Sequence, residues 1–211
     1  MALEVIAPFP HFSQEIISQE ISQCRVPVEA ARAGGPVHSA FVDALPERWR
    51  ADPTVEVFSR LHWLKPGWWP MRLGFHTDWG PGPPRVETLM VNVGGHSHTE
   101  FILEPVAPPA ELTDRRRFGR ELEAAVDAGQ RPVGRMIDGH LVRFDEQDWH
   151  RPMAAISTGW RLLIRAIRGL DEARRHRGGR FSTVCNGYIP ESEAERARYQ
   201  PYVDDAPWRT P

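Results

Sequence analysis

A mainly β fold with helical buttresses, a sandwich or jelly roll, follows from three features of the 211-residue sequence. Several short stretches alternate apolar with polar residues, the period of a half-buried strand. The turns between them are rich in Pro and Gly. The helix-period segments lie mostly ahead of the strands, as in a β core with helices packed against it. The length suffices for a sizeable core, so one domain over 1–211 is expected. Within it, 1–53 reads as a helical N-terminal region, 54–168 as the β core and 169–211 as a C-terminal extension.

In chain order, residues 12–24 predict a short helix with Ser13 as N-cap and Ile16, Ile17 and Ile21 on one face. Gly34-Gly35-Pro36 breaks the chain, and 37–50 predicts a second helix with Phe41, Leu45 and Trp49 at four-residue spacing. Pro46 lies inside that pattern and is expected to kink or end it. The period changes at Val55: apolar residues at 55, 57, 61 and 63 predict a strand. Pro66-Gly67-Trp68-Trp69-Pro70 is a turn loaded with aromatic residues, and Gly74 to Trp79 reads as extended chain. Gly80-Pro81-Gly82-Pro83-Pro84 can continue neither a helix nor a central strand. Strands are expected over 85–93, 99–103, 139–145 and 160–167. Between them, a helix capped by Thr113 and stopped by Gly129 places Phe118, Leu122, Ala125 and Val126 on one face.

Composition narrows the function classes. A formal net charge of −2 provides no global field for nucleic acid or a membrane surface. No apolar run approaches the ~20 residues of a membrane span, and the start lacks the basic and apolar regions of a secretory signal. Cys24 and Cys185 are far apart and read as free thiols in a reducing compartment, so a soluble cytoplasmic protein is expected. A Gly-rich phosphate loop with a following Lys, a Gly-x-Ser-x-Gly turn and a Cys-x-x-Cys pair are all missing, which removes the commonest competing enzyme motifs.

The chemistry concentrates in His76-Thr77-Asp78. Side chains two apart on extended backbone face the same way, so an imidazole and a carboxylate share one side. A second imidazole at His150 completes a two-His, one-carboxylate set, which leaves adjacent positions open on ferrous iron. Arg161 follows His150 by eleven positions on a predicted strand, and Arg165 shares its parity. With Val142 to Pro152 and Gly159-Trp160-Arg161-Leu162-Leu163-Ile164-Arg165, residues 55–168 resemble the Fe(II)- and 2-oxoglutarate-dependent dioxygenases.

That resemblance implies a double-stranded β-helix, with Fe(II) held by His76, Asp78 and His150 and with 2-oxoglutarate and O2 as cosubstrates. It implies that Arg161, or in reserve Arg165, binds the distal carboxylate of 2-oxoglutarate, with Thr99 as a hydroxyl donor to it. Decarboxylation to succinate and CO2 would yield a ferryl species that abstracts hydrogen from a small molecule, such as an amino acid or natural-product intermediate. Trp68, Trp69 and Trp79 are candidate walls for that substrate. Retention of Asp78 argues against the halogenating relatives, which replace this carboxylate so that chloride can bind.

Two rivals stand beside this reading. His96-Ser97-His98, with Glu100, Glu104 and a later His140 or His150, is the material of a metal-only cupin, an isomerase or binding protein that needs no Arg161. The basic segments Arg115 to Arg120 and Arg174 to Arg180 are what a hydroxylase of an acidic carrier- or protein-bound substrate would use for docking. Asn92 and Arg143 are further strand residues that could line a pocket.

Overall fold

Two sheets organise the computed structural model, which describes residues 3–70, 74–78, 85–107, 115–171 and 185–186. The chain runs through β1 (Glu4–Pro8), α1 (Gln14–Ser18), β2 (Val26–Pro27), a 3-10 turn (Glu29–Gly34), α2 (Pro36–Ala44), α3 (Glu47–Arg50) and β3 (Glu56–Leu64). It continues with β4 (Glu87–Val93), β5 (Thr99–Ile102), α4 (Arg115–Asp127), β6 (Val133–Arg135), β7 (His140–Asp145), β8 (His150–Pro152), β9 (Gly159–Arg168) and β10 (Cys185–Asn186). The larger sheet has seven strands in the order β1-β7-β4-β9-β3-β10, with β2 also on β3; the smaller has the order β6-β5-β8. All pairings are antiparallel except β10 with β3.

Strand alternation explains why β9 organises both layers. Leu162, Ile164 and Ala166 face the helices and pack with Ile17, Phe41, Leu45 and Trp49. Leu163 faces the other way and joins Met90, Val142 and Phe144 against Phe101 of the smaller sheet and Met136, which follows β6. Arg161 and Arg165 have the parity of Leu163, so both point between the sheets. Beyond the smaller sheet, α4 lays Phe118, Leu122 and Val126 over Ile102, Trp149 and Phe75. Each fully buried Leu or Phe contributes roughly 1.5–3 kcal/mol of apolar burial, so these two layers of packing fix where the space between the sheets lies.

Several elements differ from expectation. The helix expected over 12–24 stops at Ser18, because Glu20 leaves the helical path to accept the backbone N–H groups of Val37 (2.7 Å) and His38 (3.3 Å). Its carboxylate thereby caps α2, whose own N-cap position is Gly35 and offers no side chain. Pro46 splits the second helix into α2 and α3, and its carbonyl accepts from Trp49 and Arg50. The region 1–53 is not purely helical: β1 and β2 join the larger sheet through β7 and β3. Residues 74–78 do not form a regular strand; only His76 is bridged, to His150. The helix stop is seen as expected, with Gly129 at φ +70°, whereas Thr113 lies outside the described residues. Among the described residues no helix is long and apolar enough to cross a membrane. Cys24 is a free, half-buried thiol.

Candidate metal centre

Backbone pairing brings the site together. His76 N–H donates to His150 C=O at 2.9 Å and His150 N–H donates to His76 C=O at 3.0 Å, so the two residues face each other across an antiparallel bridge. His150 belongs to β8, which β5 holds through Phe101 opposite His150. With Asp78 two residues after His76, one potential ligand atom from each of His76, Asp78 and His150 lies within 4.8 Å of the others. No second such group occurs among the described residues.

The imidazoles are oriented by the main chain. His76 Nδ1 lies 3.1 Å from Gly74 O and His150 Nδ1 lies 3.0 Å from Asp148 O. A carbonyl only accepts, so each Nδ1 carries the proton and each Nε2 keeps its lone pair for a metal. Phe101 stacks on His150 at 5.2 Å between ring centroids, and Phe144 meets it edge-on at the same separation. Those rings leave His150 little rotational freedom.

Charge is tuned to match. Burial lowers His150 to a pKa of about 4, with His76 and Arg165 adding to the effect and Asp78 opposing it. Burial alone would raise Asp78, but Arg165, His150 and His76 outweigh it and hold the carboxyl well below its usual range. A neutral imidazole and an ionised carboxylate are the forms that bind a cation. Arg165 Nη1 donates to Asp78 Oδ2 at 2.5 Å, and its guanidinium lies 4.7 Å from the Phe58 ring centre. The reserve residue for a cosubstrate is thus engaged with the metal-side carboxylate.

Arg161 stands four residues away on the same face and is 1% exposed. Its Nη2 donates to Asn92 Oδ1 at 2.8 Å and its Nε to Ser97 O at 3.2 Å, while Nη1 is buried with no hydrogen-bond partner among the described residues. Asn92 Nδ2 in turn donates to Thr99 Oγ1 at 3.2 Å. Burial lowers Arg161 to a pKa of about 10, with Asp138 opposing. The sequence-predicted Arg161, Thr99 and Asn92 therefore form one connected group.

Other candidates are placed elsewhere. Trp68 is 4% exposed and packs with Leu64 and Ala155; Trp69 is half-buried; Trp79 lies outside the described residues. Arg143 pairs with Glu4 at the sheet edge. His96 Nδ1 lies 2.8 Å from Ser157 Oγ, and Glu100 is committed to Arg135 and Arg151. On α4, Arg117 pairs with Glu121, and Arg174 to Arg180 lie outside the described residues. Phe58, Phe101 and Phe144 went unread in the sequence, because an aromatic residue on a strand carries the same pattern whether it fills a core or braces a ligand.

A mainly β protein carrying a His-Asp-His cluster able to hold a metal ion is the class that fold and site define. Among solved structures, AviO1 from Streptomyces viridochromogenes Tue57 is similar over 79% of this chain and 89% of that one, at 14% identity and a TM-score of 0.44. No protein-family model and no curated protein matches the sequence.

Proposed function

We propose that the chain is an Fe(II)- and 2-oxoglutarate-dependent oxygenase of the double-stranded β-helix type, acting on a small molecule. One arrangement carries the reading: a His-Asp-His set with both Nε2 atoms available, whose Asp78 accepts from Arg165, and, four residues from Arg165 on the same face of β9, the buried guanidinium of Arg161 with an N–H that has no partner among the described residues. Two imidazoles and one carboxylate suit ferrous iron and leave positions for other ligands, whereas a structural zinc site closes its shell. A buried, permanently charged Arg161 with a free donor suits the distal carboxylate of a dicarboxylic 2-oxo acid. Bound iron would supply oxygen activation coupled to oxidative decarboxylation of that acid, giving succinate and CO2.

The residues divide the work. His76, Asp78 and His150 hold the metal, with Gly74 and Asp148 carbonyls fixing the imidazoles. Arg161 orients the cosubstrate from its far end, and Asn92 ties Arg161 to Thr99. Phe101 and Phe144 keep water from the inner side of His150. Hydroxylation is the outcome this arrangement supports most directly.

The test is spectroscopic. Anaerobic Fe(II) plus 2-oxoglutarate is expected to give a weak visible charge-transfer band in the wild-type chain, lost in His76→Ala and Asp78→Ala. A wild-type chain that binds Fe(II) but gives no band and no 2-oxoglutarate affinity would return the site to a metal-only isomerase or binding protein. Succinate release, screened across amino acids and related metabolites, then identifies the substrate.

A further inference from the structure

We infer that His62 is a second binding residue of the cosubstrate carboxylate subsite at Arg161, and that it takes up a proton from solvent as the anion enters. The inference rests on the oxygenase reading for the identity of the ligand and adds to it a residue and a proton linkage.

Register sets the geometry. His62 of β3 stands directly opposite Arg161 of β9 in the antiparallel ladder. Opposed residues in such a ladder point to the same face, with Cβ atoms about 4.5–5.5 Å apart. Arg60, two residues before His62, pairs with Leu163, whose side chain packs with Phe101, so this face looks toward the smaller sheet. Both His62 and Arg161 are buried, His62 completely.

Hydrogen bonds are missing on both residues. Among the described residues, both ring nitrogens of His62 and Nη1 of Arg161 are buried without a hydrogen-bond partner. The Pro70 carbonyl acts on His62, but not in the geometry of a hydrogen bond. Asn92 and Ser97 pin Arg161 at its other nitrogens, so the guanidinium is fixed while one edge stays open. Buried polar atoms in folded proteins almost always find a partner, and orphans on two directly paired residues call for a bound group between them.

Charge selects what that group is. Burial first, then the charges of Arg161 and Arg60, hold the His62 pKa well below its ordinary value, with the Pro70 carbonyl opposing. Asp138 acts on Arg161 and accepts from the Gly94 and Gly95 N–H groups; on the other edge of β3, Cys185 of β10 is in register with His62. A water can bridge the orphans but leaves the charge unanswered. A carboxylate answers both, with one oxygen accepting from Arg161 Nη1 and the other from a His62 N–H. Its negative charge beside the ring raises the imidazole pKa, so the empty site holds a neutral His62 and the filled site an imidazolium. Anion affinity therefore rises as pH falls from the filled-state pKa toward the empty-state one, by up to about ten-fold per unit. Protonation of His76 or His150 has the opposite sign, because it releases the metal.

The experiment titrates 2-oxoglutarate calorimetrically into the full Mn(II)-loaded chain, wild type and His62→Gln, at pH 8 and pH 6. Wild type is expected to bind about ten-fold or more tighter than the variant at pH 6, and this advantage should shrink about five-fold or more at pH 8, with Mn(II) affinity within a few-fold. Comparing the two chains at each pH cancels titration of Asp138 and of the metal ligands. Buffers of different ionisation enthalpy read the proton uptake, which should accompany binding to wild type at pH 6. An equal advantage at both pH values, or no uptake by the wild-type chain at pH 6, overturns the inference and leaves a buried water as the partner of His62. Failure of 2-oxoglutarate to bind at either pH overturns the oxygenase reading alone. Glutarate, which carries the same terminal carboxylate without the chelating end, then takes its place; if it does not bind, or shows an equal advantage at both pH values, the subsite is overturned as well.

Discussion

Arg161 brings a full positive charge into a place where, among the described residues, an amide dipole, a main-chain carbonyl and the more distant Asp138 answer it. An isolated buried charge is unfavourable by several kcal/mol, and a chain keeps one where a bound partner completes the set. Removing one member of a buried, hydrogen-bonded charge pair costs about 2–5 kcal/mol. Arg161→Gln should therefore raise the Kd for 2-oxoglutarate about 100-fold or more while Mn(II) affinity stays within a few-fold. Calorimetry on the Mn(II)-loaded chain measures both. A loss under five-fold in Arg161→Gln, with a large loss in Arg165→Gln, would move the carboxylate to Arg165. At this scale the sequence was legible where chemistry demands rare residue types at fixed spacing: His76, Asp78 and His150, which the fold brings together. It was silent on the left-handed backbone at Arg25, φ +50°, which leaves no pattern of its own.

Among the elements, α2 and α4 show how helices serve the site to different degrees. Helix α4 lies directly on the metal-binding segment: a Cβ at Gly119 would overlap the Phe75 carbonyl oxygen. Arg151, next to His150, bonds Glu100 and reaches Glu123 of α4 at 3.0 Å while its guanidinium sits 4.7 Å from the Phe75 ring centre. Gly119→Ala should push α4 off this segment, at about 1–3 kcal/mol in chemical unfolding, and lower Mn(II) affinity as well. Helix α2 is capped by Glu20, which also pairs with His38, whose Nε2 meets Ser59 Oγ at 2.7 Å. All three residues are fully buried on the helix-covered face. Glu20→Ala should cost about 3–5 kcal/mol, because it strands two N–H groups and an imidazole, yet leave Mn(II) affinity unchanged in the protein that remains folded. Equal losses of metal affinity in both variants would mean that the helices act only through global stability. The end of α1 could not be read from periodicity, because Glu20 stops it through a bond to a residue 17 positions ahead.

For the molecule as a whole, acid should be the weak flank. His62 is fully buried opposite Arg161, and burial, with Arg161 and Arg60 adding, holds its pKa well below 6.5. The unfolded chain therefore binds a proton that the folded chain refuses. This contribution to stability is complete above pH 6.5 and declines as pH falls below it, by about 1.4 kcal/mol per unit until the folded pKa is reached. Urea unfolding at pH 7 and pH 5 should show the wild-type chain losing up to about 2 kcal/mol more than His62→Gln; parallel losses would place the sensitivity elsewhere.

The long strands β3, β4, β7 and β9 were legible as alternation or short apolar runs bounded by Gly and Pro. Three-residue β8 was not, since His150-Arg151-Pro152 is too short to show a period and its pairing depends on residues about fifty positions earlier. The same scale governs when the metal site can exist. His76 and His150 exchange both main-chain bonds, and the Arg165 that engages Asp78 comes later still. On a ribosome, His76, Asp78 and His150 cannot come together until β8 has emerged, and Arg165 cannot engage Asp78 until β9 has followed, so a metal ion held by this set would be taken up after the chain of the core is complete.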